Sequence, residues 1–117
     1  MNTTGQEGEE RAAHFLIQKG YRILARNYRV FGGEIDIVAQ DEKTLVFVEV
    51  KTRSYTAFGG PLAAVTPAKQ RKIAHAATHF LKENSSKFDS IRFDVVCVLP
   101  EQIDHLEGAF IPTRTTL

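Results

Sequence analysis

Two runs of alternating apolar and polar residues, Glu34–Gln40 and Leu45–Lys51, flank the polar tetrad Asp41-Glu42-Lys43-Thr44. β-Branched segments on either side of such a turn predict a hairpin. A turn centred between Glu42 and Lys43 sets Asp36 opposite Glu49 and Glu34 opposite Lys51. Alternation then puts Ile35, Ile37, Ala39, Val46, Val48 and Val50 on one apolar face. Glu34, Asp36, Glu49 and Lys51 gather at one end of the other face. Val38, Leu45 and Phe47 lie further along that second face and also need cover, so the charged cluster is predicted at the rim of a sheet packed on both faces.

The flanking pattern supplies the cover. Thr4-Gly5-Gln6-Glu7 fits a capping box and Gly20 fits a helix stop, which predicts a first helix with an apolar stripe through Ala12, Ala13, Phe15 and Leu16. Glu9 stands at the head of that stripe, either favoured by the positive end of the helix dipole or aimed at the charged rim. Tyr21–Tyr28 alternates Tyr21, Ile23 and Ala25 with Arg22, Leu24 and Arg26 and predicts a strand, turning through Gly32-Gly33 into the hairpin. Residues 52–65, with Gly59-Gly60-Pro61, form a long connection beside the rim. Thr66-Pro67 starts a second helix, expected to reach Lys82 or Glu83, with Ile73, Ala74, Ala77, Phe80 and Leu81 buried and Gln70 at the N-terminal end of that face. Ile91–Leu99 alternates as another strand, Ile103–Ile111 holds a short edge strand, and 112–117 is a loose tail.

Composition narrows the class. With 117 residues, 43% hydrophobic and 25% charged, the chain suits a single soluble domain with its core at about 5–110. A formal net charge of +1 argues against a uniformly basic nucleic-acid binder and leaves local patches to do any such binding. The start Met1-Asn2-Thr3-Thr4 leads into acidic residues without an apolar segment, so neither a signal peptide nor a membrane span is expected, and the cytoplasm is the default. One cysteine cannot form an internal disulfide, and Cys97 sits in an apolar run that suits a buried thiol. His75 and His79 have helical zinc spacing, but no Glu follows His75 and no third ligand is suggested.

The chemistry lies at the rim. Crowded carboxylates raise one another's pKa unless a cation offsets them. A hard divalent cation, Mg²⁺ or else Mn²⁺, would do so with one or two carboxylates, a carbonyl and waters, one of which could attack a phosphodiester. Lys51, on the face of Glu49, could orient that water or stabilise charge at the phosphorus. The same residues also fit cross-strand ion pairs, Glu34 with Lys51 and a solvated Asp36 near Arg53, and such pairs are common and contribute little.

The order helix, three strands, helix, strand, with Ile35-Asp36 followed by Glu49-Val50-Lys51, resembles the PD-(D/E)XK nuclease superfamily. The whole chain from about Gly5 to Phe110 looks like the YraN-like family, a bacterial group in that superfamily. The matching stretches are Gly8-Glu9, Gly33-Glu34-Ile35-Asp36, Phe47-Val48-Glu49-Val50-Lys51-Thr52-Arg53, Lys69-Gln70-Arg71 and Arg92-Phe93-Asp94. The family is also similar to archaeal Holliday-junction resolvases, whose helix-one glutamate, hairpin aspartate and Glu-x-Lys map onto Glu9, Asp36, Glu49 and Lys51. Ile35 departs from the superfamily's proline.

This resemblance implies an α/β restriction-endonuclease-like sandwich with a mixed central sheet. It also implies a Mg²⁺-dependent endonuclease acting on DNA, branched or otherwise structured. Asp36 and Glu49 would bind the metal with the Val50 carbonyl, and Glu9 directly or through water. Lys51 would be catalytic, with Gln70 a further candidate. Arg53, Lys69, Arg71 and Lys72 are the phosphate-contact candidates, and a homodimer could enlarge the small footprint. The rival reading is a nucleic-acid adaptor that keeps the fold and does not cut.

Overall fold

The computed structural model describes residues 4–54, 65–84 and 87–111. Helix α1 (Thr4–Gln18) leads to β1 (Arg22–Val30), β2 (Gly33–Asp41) and β3 (Thr44–Thr52), then α2 (Pro67–Asn84), β4 (Ser90–Val98) and β5 (Ile103–Leu106). This is the predicted order. The five strands form one sheet in the order β1-β2-β3-β4-β5, with only the β3–β4 pair parallel. A parallel step needs a crossover, and α2 lies in it. Most of the long connection before α2, the capping Thr4 side chain, Ser85-Ser86 and the tail lie outside the described residues. Among the described residues no helix is long and apolar enough to cross a membrane.

Each helix covers one face. On the first, Ala12, Ala13 and Leu16 of α1 pack with Tyr21, Ile37, Ala39, Val46, Val48, Val96 and Val98. On the second, Ile73, Ala76, Ala77 and Phe80 of α2 pack with Ile35, Val38, Leu45, Phe47 and Phe93. The helix ends are built as their sequences demand. α1 closes around Gly20, with Gly20 N–H donating to Ile17 O at 2.9 Å and Tyr21 N–H to Leu16 O at 2.9 Å. α2 opens on Thr66, whose Oγ1 accepts from Lys69 N–H at 3.2 Å.

Strict alternation fails at two places in β1 and β2. A bulge between Ile23 and Ala25 sends Ala25 to the α2 side, away from Ile23 and Tyr21. Further along, Tyr28 pairs with Ile35 and Arg26 with Ile37, which leaves Asn27 opposite Asp36. Asn27 has φ 52, a left-handed conformation that asparagine accepts more readily than most residues. Both strands turn over there, so Ile35 packs against α2 while Ile37 packs against α1. The expectation that Ile35 shares the face of Ile37 is therefore wrong, and Asp36 sits on the pivot.

The turned-over end of the hairpin rests on α2. A Cβ at Gly33 would stand 2.7 Å from Lys72 O and 2.8 Å from Ala76 N, both backbone atoms with no freedom to yield. At the opposite edge, buried Asp94 ties β5 down. It accepts from Arg92 Nε at 2.8 Å, Gly108 N–H at 2.9 Å and His105 Nε2 at 2.7 Å. Burial alone would raise this carboxyl, but those bonds outweigh it and hold it below the ordinary range.

Gly33→Ala is expected to lift the hairpin end off α2 and cost about 1–3 kcal/mol, the usual penalty of forced overpacking. Thermal melting checks it, and an unchanged midpoint contradicts the close packing.

Candidate active site

Three elements bring acids to the end of the sheet where β2 begins and β3 ends. The β2–β3 register runs from Asp41↔Thr44 to Ile37↔Val48, which is the register expected from the turn. Past Ile37 the ladder gives way to a side chain, and Asp36 Oδ2 accepts from Val50 N–H at 2.8 Å. In an antiparallel pair the N–H and C=O of one residue face the same neighbour, so the Val50 carbonyl is also directed toward β2. Glu49 lies between Val48 and Val50 and is buried, 3% exposed. On α1, Gly8 packs so closely against Thr52 that no side chain fits between them. That contact presents the next residue, Glu9, to the same corner.

Electrostatics separate these acids. Lys51 Nζ lies 3.0 Å from Glu49 Oε2, and Lys69 Nζ lies 3.7 Å from that oxygen and 2.9 Å from Glu34 Oε1. The Lys69 bond holds the Glu34 carboxyl below its usual range. Among the described residues Asp36 pairs directly with no cation, although Lys69 lies near enough to feel its charge. Burial first, and the charge of Glu49 second, push its carboxyl up to about 7, with Glu9 adding to the rise and the Val50 N–H opposing it. Among the described residues two buried side-chain oxygens lack any hydrogen-bond donor, Glu9 Oε1 and Glu49 Oε1. Arg26 Nη2 stands 3.9 Å from the former, beyond hydrogen-bond range.

These observations bear directly on a cation. Buried orphan carboxylate oxygens are expensive, and a divalent ion or a proton supplies what they lack. Among the described residues no three acidic, His or Cys side chains converge tightly enough to cage a metal. Mg²⁺ does not ask for such a cage, because one or two carboxylates with carbonyl and water suffice. Asp36 and Glu49 with the Val50 carbonyl fit that donor set, and Glu9 stands where it could bond through water. Beside them runs a groove of about 930 Å³ between α1 and β1, lined by Glu7, Glu9, Glu10, Arg26, Asn27 and Arg29.

The profile of "Uncharacterised protein family UPF0102" matches residues 8–98. The chain belongs to this family. A UPF0102 protein of Chlorobium phaeobacteroides is 46% identical over 92% of this chain and 93% of its own length. One from Pelobacter propionicus is 51% identical over 92% and 81%, and one from Symbiobacterium thermophilum 53% over 82% and 81%. Among solved structures, Hjc of Archaeoglobus fulgidus, a Holliday junction resolvase, matches with a TM-score of 0.48 and 17% identity, covering 88% of this chain and 76% of that one.

Within this UPF0102 chain the predicted residues are not all placed as expected. Glu34 pairs with Lys69 rather than Lys51, since the start of β2 at Gly33 is packed directly on the α2 backbone, next to the helix that carries Lys69. Lys69, expected at a phosphate, is an ion-pair partner inside the acid cluster. Its spacing after Thr66 put it on the first turn of α2, but only the crossover brings that turn to the end of β3. Gln70 turns its amide back to Val65 O at 3.1 Å. Arg53 Nη1 donates to the neighbouring Thr52 O at 2.9 Å, while Arg71 and Lys72 are exposed on α2. His75 and His79 are likewise exposed.

The raised Asp36 carboxyl has a definite consequence for stability. Between the ordinary aspartate value and about 7 the folded protein holds a proton that the unfolded chain has lost, so stability falls as pH rises through that window. Asp36→Asn keeps an acceptor for Val50 N–H and removes the charge. Without divalent cations it should raise the melting midpoint at about pH 8 by several degrees, and the gain should shrink toward about pH 5. Melting curves of both proteins across this range check it. A gain that does not depend on pH, or a loss at the upper end, contradicts the crowding of Asp36 and Glu49.

Proposed function

We propose that this UPF0102 protein is a Mg²⁺-dependent endonuclease that hydrolyses phosphodiester bonds in branched or otherwise structured DNA. The observation that carries the reading is Asp36 beside buried Glu49, with an orphan carboxylate oxygen on Glu49 and Lys51 3.0 Å from its other oxygen. An acid pair on neighbouring strands, with a lysine two residues after one of them, is an arrangement suited to attack at phosphorus. When bound, a divalent cation supplies an acidified water and offsets charge on the phosphate.

The chain's own residues do the rest. Asp36 is anchored through one oxygen by Val50 N–H and its carboxyl would hold a cation together with that of Glu49, which is held by Lys51 and Lys69 with Oε1 unspent. Lys51 is half-buried and fixed by Glu49, so its ammonium can orient the attacking water and stabilise charge developing on the phosphoryl oxygens. The groove along Arg26 and Arg29 and the exposed Arg71 and Lys72 offer the phosphate backbone two flanks. The likeness of the chain's order and motifs to the resolvase group is what suggests branched DNA.

The test is a cleavage screen over linear, flapped, gapped and four-way DNA with Mg²⁺ and with Mn²⁺. Asp36→Ala and Lys51→Ala should each lower cleavage by about a hundredfold or more while DNA binding survives. Saturating Mg²⁺ should also stabilise the wild type by about 2–3 kcal/mol at a hundred times its dissociation constant, and should not stabilise Asp36→Ala. Metal-independent binding without cleavage of any substrate would instead mark a nucleic-acid adaptor.

A further inference from the structure

The tip of the β1–β2 hairpin carries the most exposed large hydrophobic side chain among the described residues, Phe31 at 99% exposure. Its setting is unusual for a chance surface aromatic. The turn Phe31-Gly32 joins strands whose other residues are paired up to Val30↔Gly33. It is also braced from below. Gly33 lies against the α2 backbone at Lys72 and Ala76, and the His75 ring comes within 3.6 Å of the point where a Gly32 Cβ would stand. A rigid mount costs little entropy when a side chain is used for binding.

Position and charge say what Phe31 is for. β2 begins at the end of the sheet where β3 ends, so the tip and the Asp36–Glu49 pair share one end. Asp36 comes five positions after Phe31, at most about 17 Å of strand and about five base steps of DNA. Around the tip, Arg29 stands opposite Glu34 on the neighbouring strand, Lys69 bonds Glu34, and the Lys72 backbone touches Gly33. Lys69 is taken up by Glu34 and Glu49, which leaves the exposed Arg29 and Lys72 for a phosphate, with His75 beside them.

A second copy of the chain is a poorer occupant. One phenyl ring offers about 150–250 Å², where a stable dimer needs about 800 Å² per partner. The other exposed apolar residues do not extend it. Ile91 pairs with Leu45 at the far end of the sheet, Ile17 lies in the last turn of α1, and Ile111 follows β5 on the opposite edge. An isolated aromatic on a rigid basic tip suits the face of a nucleobase, whose stack continues into a phosphate backbone that the cations can hold.

We propose that Phe31 is a wedge that stacks on a base left unpaired or unstacked at a branch point, so that the enzyme selects branched DNA over continuous duplex. This rests on the nuclease reading and names how its substrate is recognised.

The experiment uses the Lys51→Ala protein, which binds without cutting, alone and combined with Phe31→Ala or Phe31→Trp. The chain contains no tryptophan, so Phe31→Trp supplies a single indole probe at the tip. Affinities for a four-way junction and for linear duplex are measured at one salt concentration. The preference for the junction should fall about tenfold with Phe31→Ala and be restored by Phe31→Trp, with indole emission quenched by the junction. An unchanged preference after Phe31→Ala overturns the wedge alone, while no preference in the parent overturns the wedge and the branched substrate but leaves the nuclease chemistry standing. Failure of the parent to bind any DNA removes the wedge and the nuclease reading together. Light scattering that shows Phe31→Ala converting a dimer to a monomer assigns the tip to a second copy and also overturns it.

Discussion

Two carboxyl groups are held next to one another at the edge of a hydrophobic sheet, and most of the molecule's arrangement can be traced to keeping them there. Asp36 is tethered by the Val50 N–H at 2.8 Å, in place of a continued ladder between β2 and β3. Glu49 is carried on a strand buried on both faces, so it is almost wholly withdrawn from bulk water. Such a pair is unfavourable by itself in a medium of low polarizability. The fold relieves half of it. Lys51 and Lys69 answer one oxygen of Glu49, while among the described residues the other oxygen of Glu49 has no donor and Asp36 has no paired cation.

The relief and the residual strain come from different parts of the fold, which explains why the site lies where three elements meet. β3 supplies Glu49 and Lys51 two residues apart on one face. The parallel step to β4 obliges the chain to cross over, and the crossover helix delivers Lys69 to the end of β3. α1 adds Glu9 through the tight contact of Gly8 with Thr52. Beyond the pivot at Asn27 and Asp36 the tip of the β1–β2 hairpin rests on α2, and Glu34 there pairs with Lys69.

Much of this was legible in the chain and some of it was not, for physical reasons. The hairpin register followed from the turn residues, because a period-two pattern buried on both faces tolerates no slip. The start of α2 followed from Thr66-Pro67, and the covered faces from the apolar stripes. The bulge at Leu24 and the pivot at Asn27 carry no comparable mark. A left-handed asparagine inside a strand looks like any other polar residue, so strict alternation places Ile35 on the face of Ile37, where the structure does not. The Asp94 network also escaped notice. An aspartate alternating with arginine on a strand looks like a solvated face, and only the return of β5 with His105 buries it.

The account rests on a carboxyl that keeps its proton near neutrality until a cation takes the proton's place. Carbon-13 NMR of the Asp36 carboxyl, titrated with pH in the absence and then the presence of Mg²⁺, reads this directly. The expected midpoint without metal is about 7, moving into or below the ordinary aspartate range with saturating Mg²⁺. An Asp36 carboxyl that titrates near about 4 in both conditions would mean that the two acids are solvated and separate, and the proposed site would not exist.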